Sequence, residues 1–194
     1  ASNNMRELID NLLTLSRVGR INTEYSEVDI GEILAELKEE LKPQIEMKQA
    51  IITGNNLPEL VTQRTWIKQV LMNLIGNGIK FNETNPPRVE ITCNKTEIGY
   101  QFKVRDNGIG IPEDQHEHLF KLFQRLEHTN HYPGTGAGLS ICKKIIESLG
   151  GEIWVESQEG YGCSFIFTIP NGDIEEATGS QTVQAIHADG LVER

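Results

Sequence analysis

Asn73, Asn77 and Lys80 stand at i, i+4 and i+7 in a long apolar-periodic stretch, Gln63–Phe81. At about 100° per helical residue they fall within about 60° of one another. They lie beside a stripe of Ile67, Val70, Leu71, Leu74 and Gly78 that packs inward. Asparagine is a mediocre helix former, and a merely solvated flank would carry Glu, Lys or Gln, as positions 68 and 69 do. Amide oxygens are hard ligands that suit Mg²⁺, and an ammonium neutralises phosphate. The alignment suggests a polyphosphate with its metal; the plainer alternative is a polar helix flank.

Two glycine-bearing runs follow. In Asp106-Asn107-Gly108-Ile109-Gly110-Ile111-Pro112 a hairpin turn would return an alternating strand, yet Pro112 opens a helix instead. Gly108 and Gly110 allow backbone to approach a flat ligand closely. A carboxylate at the strand end, Asp106, can accept a hydrogen bond from an exocyclic amine, which selects adenine over guanine. Gly134-Thr135-Gly136-Ala137-Gly138-Leu139 runs straight into a helix, where freed backbone N–H groups make an anion site. Its spacing is not the dinucleotide fingerprint, and it lacks the P-loop lysine. Between the runs, residues 113–133 carry Phe120 and Phe123 around Lys121-Leu122 and end at Pro133-Gly134, as a segment closing over a ligand would. His116, His118, His128 and His131 crowd this stretch and read as solvated rather than as metal ligands.

The elements that must position these groups are mixed. Residues 5–18 read as a helix ending at Gly19, and its wide apolar stripe must pack either on the main domain or in an intermolecular bundle; the Gly19–Ser26 linker favours the bundle. Ile30–Met47 reads as a helix, with Pro43 marking a kink or an end. Gln49–Thr53 reads as a strand. Arg88–Asn94 and Tyr100–Arg105 alternate as paired strands, Gly138–Leu149 is a helix, and Ile153–Ser157 and Cys163–Ile169 are strands around a Glu159-Gly160 turn. This is an α/β arrangement with antiparallel hairpins rather than repeated βαβ units. Asn171–Arg194 lacks a clean period and reads as a disordered tail or linker.

The sequence has 194 residues and a net charge of −10, which argues against nucleic acid as a partner. No apolar run approaches the roughly 18 residues of a membrane span. Cys93, Cys142 and Cys163 lack metal or redox spacing and read as free thiols in a reducing, cytoplasmic setting.

In this order, the motifs resemble the nucleotide-binding domain of sensor histidine kinases, in the superfamily that includes gyrase-type ATPases. Gln69–Asn82 resembles its N box, Asp106–Pro112 its first glycine box, Leu119–Leu126 its F box and Gly134–Leu139 its second glycine box. Gly151–Pro170 resembles the closing hairpin, and Tyr132–Gly136 is similar to the phytochrome-like and hybrid kinases. The resemblance covers about residues 27–170. It implies an α+β sandwich, with a mixed, largely antiparallel sheet covered on one face by helices. Residues 1–20 would be the end of a dimerisation and phosphoacceptor hairpin, 26–170 the catalytic ATP-binding domain and 171–194 a tail.

The resemblance also implies roles. Asn77 would ligate Mg²⁺, with Asn73 supporting the metal or a phosphate and Lys80 contacting phosphate. Asp106 would bind the adenine amine above Gly108 and Gly110. Gly134, Gly136, Gly138 and Leu139 belong to the box facing the phosphates, and Arg125 would reach the γ-phosphate on closure. Gly78 stands where the family usually has Ala, which loosens the helix by about 1 kcal/mol. Hydrolytic relatives place a Glu where Asn73 stands, so ATP would be held for an external histidine. The His, acid and later Pro of a phosphoacceptor motif are not found. Expected partners are a phosphoacceptor helix of the same kinase, a response-regulator receiver domain and a second copy of the kinase; the alternatives are a gyrase- or chaperone-like ATPase and a nucleotide-responsive scaffold.

Overall fold

The computed structural model describes residues 2–19, 24–124, 132 and 134–171. Elements follow in the order α1 (Ser2–Arg17), β1 (Ser26–Asp29), α2 (Ile30–Glu40), α3 (Lys42–Lys48), β2 (Ile51–Asn55), β3 (Glu59–Thr62) and α4 (Arg64–Lys80). Then come β4 (Arg88–Lys95), β5 (Gly99–Asp106), a 3-10 helix (Glu113–His118), α5 (Gly138–Ser148), β6 (Ile153–Ser157) and β7 (Cys163–Pro170).

The main sheet has five strands in the order β2-β4-β5-β7-β6. β2 runs parallel to β4, and the other neighbours are antiparallel. Period-two alternation turns Val89, Ile91, Phe102, Val104, Phe165 and Phe167 to one face, all buried. Ile67, Val70, Leu71 and Leu74 of α4 and Ile141 and Ile145 of α5 join them in one core. Each such aliphatic chain gains about 1.5–3 kcal/mol on burial, so this layer is what holds α4 against the strands. The other face carries exposed Glu90, Arg105 and Glu156, and Lys103 Nζ lies 3.3 Å from Glu156. A mixed, largely antiparallel sheet covered by helices on one face is thus the observed architecture.

Several local expectations change. Ile30–Met47 is two helices meeting at Leu41, because Pro43 in the first turn of α3 cannot extend the hydrogen-bond ladder of α2. The strand expected at Gln49–Thr53 begins later, at Ile51, since Gln49 takes a left-handed conformation (φ 53°) to close α3. β1 and β3, a separate antiparallel pair, have no counterpart in the sequence reading. Pro112 precedes a 3-10 helix as its cap residue rather than opening an α-helix as its first residue.

Of the two packings open to the N-terminal helix, α1 lies against α5, with Val18 buried and Leu15 packed on the core. Ile9, Leu12 and Leu13 remain 52, 49 and 46% exposed, so a second apolar edge stays bare. Gly19 has the positive φ (76°) of a helix-closing residue. Residues 172–194, read above as a tail, lie outside the described residues, as do Arg125, His128 and His131.

Candidate functional site

α4, the loop after β5, the loop before α5 and β7 enclose a cavity of about 210 Å³. Asn73, Asn77, Lys80 and Phe81 form its α4 wall. Asp106, Ile109, Gly110 and Ile111 line it from the loop after β5, with Cys163 and Phe165 of β7 beside them. Gly134, Thr135, Gly136, Gly138 and Leu139 close it from the second glycine run. Leu119 and Gln124 contribute from the intervening segment, and Asn11 reaches in from α1. Of the residues expected at the site, the structure brings nine to one cavity; Gly108 stands behind the wall and Arg125 is not among the described residues.

Asp106 ends β5, and its Oδ1 accepts hydrogen bonds from the N–H groups of Gly108 (2.8 Å) and Cys163 (3.1 Å). Gly108 therefore orients the carboxylate from behind. Burial pushes the Asp106 carboxyl up to about 6, and the two N–H donors oppose that rise. The group is ionised at neutral pH, with a side chain on the cavity wall able to accept a further donor. The loop after it is clasped by the β6–β7 turn: Gly160 N–H donates to Ile109 O at 2.7 Å, and Ile111 N–H to Ser157 Oγ at 2.9 Å. Gly110 has φ 71°, and a Cβ there would collide with the Gln158 carbonyl, so only glycine permits this backbone-on-backbone contact.

On the α4 side, Asn73 Nδ2 donates to the Gly138 carbonyl at 3.3 Å, joining the helix to the start of α5. Asn77 presents its amide to the cavity with no protein partner among the described residues. Lys80 Nζ stands 4.3 Å over the Phe81 ring. The 3-10 helix sits nearby, with His116 Nε2 3.1 Å from Ile111 O. Among the described residues no cluster of His, Cys, Asp or Glu forms a metal site by itself.

Sequence reasoning missed several supporting groups. Lys48 Nζ donates to the carbonyls of Ile79 (2.9 Å), Lys80 (3.0 Å) and Asn82 (3.2 Å), capping α4 from the end of α3. Asn11 Nδ2 donates to Thr135 Oγ1 at 2.8 Å, tying α1 to the glycine run. Asn82 and Asn107 lie inside the quoted motifs, yet their pairing has no signature in spacing. Among the described residues no helix is long and apolar enough to cross a membrane.

Comparison with known proteins adds to this geometry. The family described as histidine kinase-, DNA gyrase B-, and HSP90-like ATPase matches residues 62–173. The phytochrome-like protein Cph1 of Synechocystis sp. is 40% identical over 169 residues, covering 87% of this chain and 23% of that protein. Full-length ShkA in complex with AMPPNP superposes with a TM-score of 0.71 at 26% identity, covering 86% of this chain and 36% of that one. Histidine kinase ThkA in complex with the response regulator protein TrrA gives a TM-score of 0.70 at 28% identity, over 90% of this chain and 50% of that complex's matched chain. The chain spans 23% of the length of Cph1 and 22% of that of cyanobacterial phytochrome A of Nostoc sp.. The match spans α4, both glycine runs and the closing hairpin, and the chain belongs to the histidine kinase-, gyrase B- and HSP90-like ATPase family as an ATP-binding domain of the histidine-kinase type.

Proposed function

We propose that this domain binds ATP with Mg²⁺ and transfers the γ-phosphate to a histidine on a phosphoacceptor helix of the same kinase. The observation that carries this reading is the chemistry of the cavity wall. Its one carboxylate among the described residues is Asp106, already oriented by Gly108 and Cys163. At Asn73, one helical turn before Asn77, stands an amide that cannot take a proton from water. A bound triphosphate is then held rather than hydrolysed, and waits for an external nucleophile.

Each wall has a task. Asp106 accepts from the adenine amine and rejects guanine, which offers a carbonyl at that position. Asn77 fits Mg²⁺: a hard amide oxygen without a protein partner among the described residues suits an ion that keeps most of its waters. When bound with the nucleotide, the ion neutralises phosphate oxygens. Lys80 adds a positive charge to the same oxygens, and the backbone of Gly134–Gly138 approaches them at the start of α5. Positioning supplies most of the rate for in-line phosphoryl transfer.

The bare edge of α1 at Ile9, Leu12 and Leu13 supports a helical partner there, in a homodimer of the full-length kinase. The likeness to ThkA, solved with a response regulator, supports a receiver domain as the next phosphate acceptor. Three free, buried cysteines suit the cytoplasm.

Equilibrium titration with a fluorescent ATP analogue and a steady-state hydrolysis assay test the reading together. Expected are Mg²⁺-dependent binding, at least about tenfold loss in Asn77→Ala, and turnover far below the ~10 s⁻¹ of a median enzyme. Rapid hydrolysis would favour the gyrase-like alternative, and equal affinity in parent and variant the scaffold.

A further inference from the structure

The phosphate-facing lysine has a support of its own. Lys80 Nζ lies 4.3 Å over the Phe81 ring. The Tyr132 ring packs on Phe81 edge to face, with centroids 5.0 Å apart and an interplanar angle of 67°. The Tyr132 hydroxyl donates to Glu83 Oε1 at 3.0 Å, just beyond the end of α4. Two residues on, a Cβ at Gly134 would come within 2.7 Å of Lys80 Nζ, so the absence of a side chain there leaves the ammonium its place. Tyr132 and Gly134 thus flank the lysine on two sides: a ring behind its support and a bare backbone beside its charge.

We propose that Tyr132 is a positioning residue: by fixing the Phe81 ring it fixes the Lys80 ammonium, so that the phosphates of a nucleotide meet a charge already in place. Lysine carries a long, flexible stem that loses rotamer freedom when its ammonium is held. A ring face that attracts the cation removes part of that loss before the ligand arrives. The Glu83 hydrogen bond holds the Tyr132 hydroxyl beyond the end of α4, with its ring against Phe81. The inference rests on the cavity being an Mg²⁺–ATP site.

Calorimetric titration of the whole chain with Mg²⁺–ATP and, separately, with adenosine tests it in the parent, Tyr132→Ala and Tyr132→Phe. Tyr132→Ala is expected to weaken ATP about 5- to 20-fold while adenosine changes less than about twofold. Tyr132→Phe, which keeps the ring, is expected to stay within about threefold of the parent for both ligands. Unchanged ATP affinity in Tyr132→Ala overturns the proposal. So does an equal loss for ATP and adenosine, which is what general loosening of the fold would produce. A parent that binds adenosine no less tightly than ATP would defeat the triphosphate reading itself, and the proposal with it.

Discussion

Asn82 Nδ2 donates to Asn107 Oδ1 at 2.8 Å, bonding the end of α4 to the loop after β5 across 25 positions of sequence. Asn82 is 4% exposed, and the same amide also reaches the Gly78 carbonyl at 3.1 Å, while its Oδ1 accepts from Thr84 N–H and Oγ1. Asn107 Oδ1 in turn accepts from Arg88 N–H at 2.7 Å. One bonded pair therefore holds the helix bearing Asn77 and Lys80 in register with the loop that follows Asp106.

Removing this pair should cost more than a surface hydrogen bond. Asn82→Ala strands buried partners and is expected to lose about 2–3 kcal/mol by urea unfolding. In a cycle with Asn107→Ala the two losses should fall short of additivity by about 1 kcal/mol or more. Strictly additive losses would mean that the pair does not act as a unit.

Asp106 should trade stability for recognition. Its carboxyl sits at about 6 against 3.8 unperturbed, so folding favours its neutral form. That contribution is complete below pH 3.8 and is lost as pH rises through about 6. At pH 7.5, Asp106→Asn, which still accepts from Gly108 and Cys163, is expected to be about 1–3 kcal/mol more stable than the parent. The advantage should shrink toward about pH 5, where the parent carboxyl is largely protonated. Thermal melts at the two pH values read the difference; a pH-independent gap would contradict the assigned burial.

Gly78 is the position where a helix accepts its least favoured ordinary residue. A Cβ there would come within 2.8 Å of Val89 Cγ2 and 3.2 Å of Asp106 Cβ. Val89 is 1% exposed, and its β-branched side chain cannot easily turn away. Gly78→Ala gains about 1 kcal/mol of helix propensity and loses about 1–3 kcal/mol to overpacking. A net loss near 1 kcal/mol is expected, partly recovered against a Val89→Ala background. A more stable Gly78→Ala single variant would show that α4 can move off the sheet at no cost.

Lys48→Met keeps the stem and removes the donors from three carbonyls at the end of α4. The loss should be about 1.5–3 kcal/mol, the range for charged hydrogen bonds. Hydrogen exchange at Phe81 N–H, bonded to Asn77 O at 2.9 Å, should quicken first. Unchanged protection there would place the cap elsewhere.

What the sequence made legible followed from period and composition. The 3.6-residue stripe of α4 located Asn73, Asn77 and Lys80 on one face, and the glycine runs announced the two loops that meet them. Pairings between distant segments were not legible: Asn82 with Asn107, Lys48 with Ile79, or Asn11 with Thr135 depend on how the helices dock, which no local period encodes. β1 and β3 are four residues each, too short to alternate visibly. Pro112 has the same signature before an α-helix and before a 3-10 turn. Gly78 read as a loose point in the helix; its packing against Val89 shows that it is a tight one.

In the proposed function, Asp106 reads an adenine base in a cavity whose α4 wall receives the phosphates. Calorimetric titration with ATP and GTP in Mg²⁺, on the parent and on Asp106→Asn, tests it most directly. The parent should bind ATP at least about 30-fold more tightly than GTP, a preference within reach of one buried charged hydrogen bond, and Asp106→Asn should lose most of it. Equal affinity for the two nucleotides in the parent, or an undiminished preference in the variant, would contradict the account.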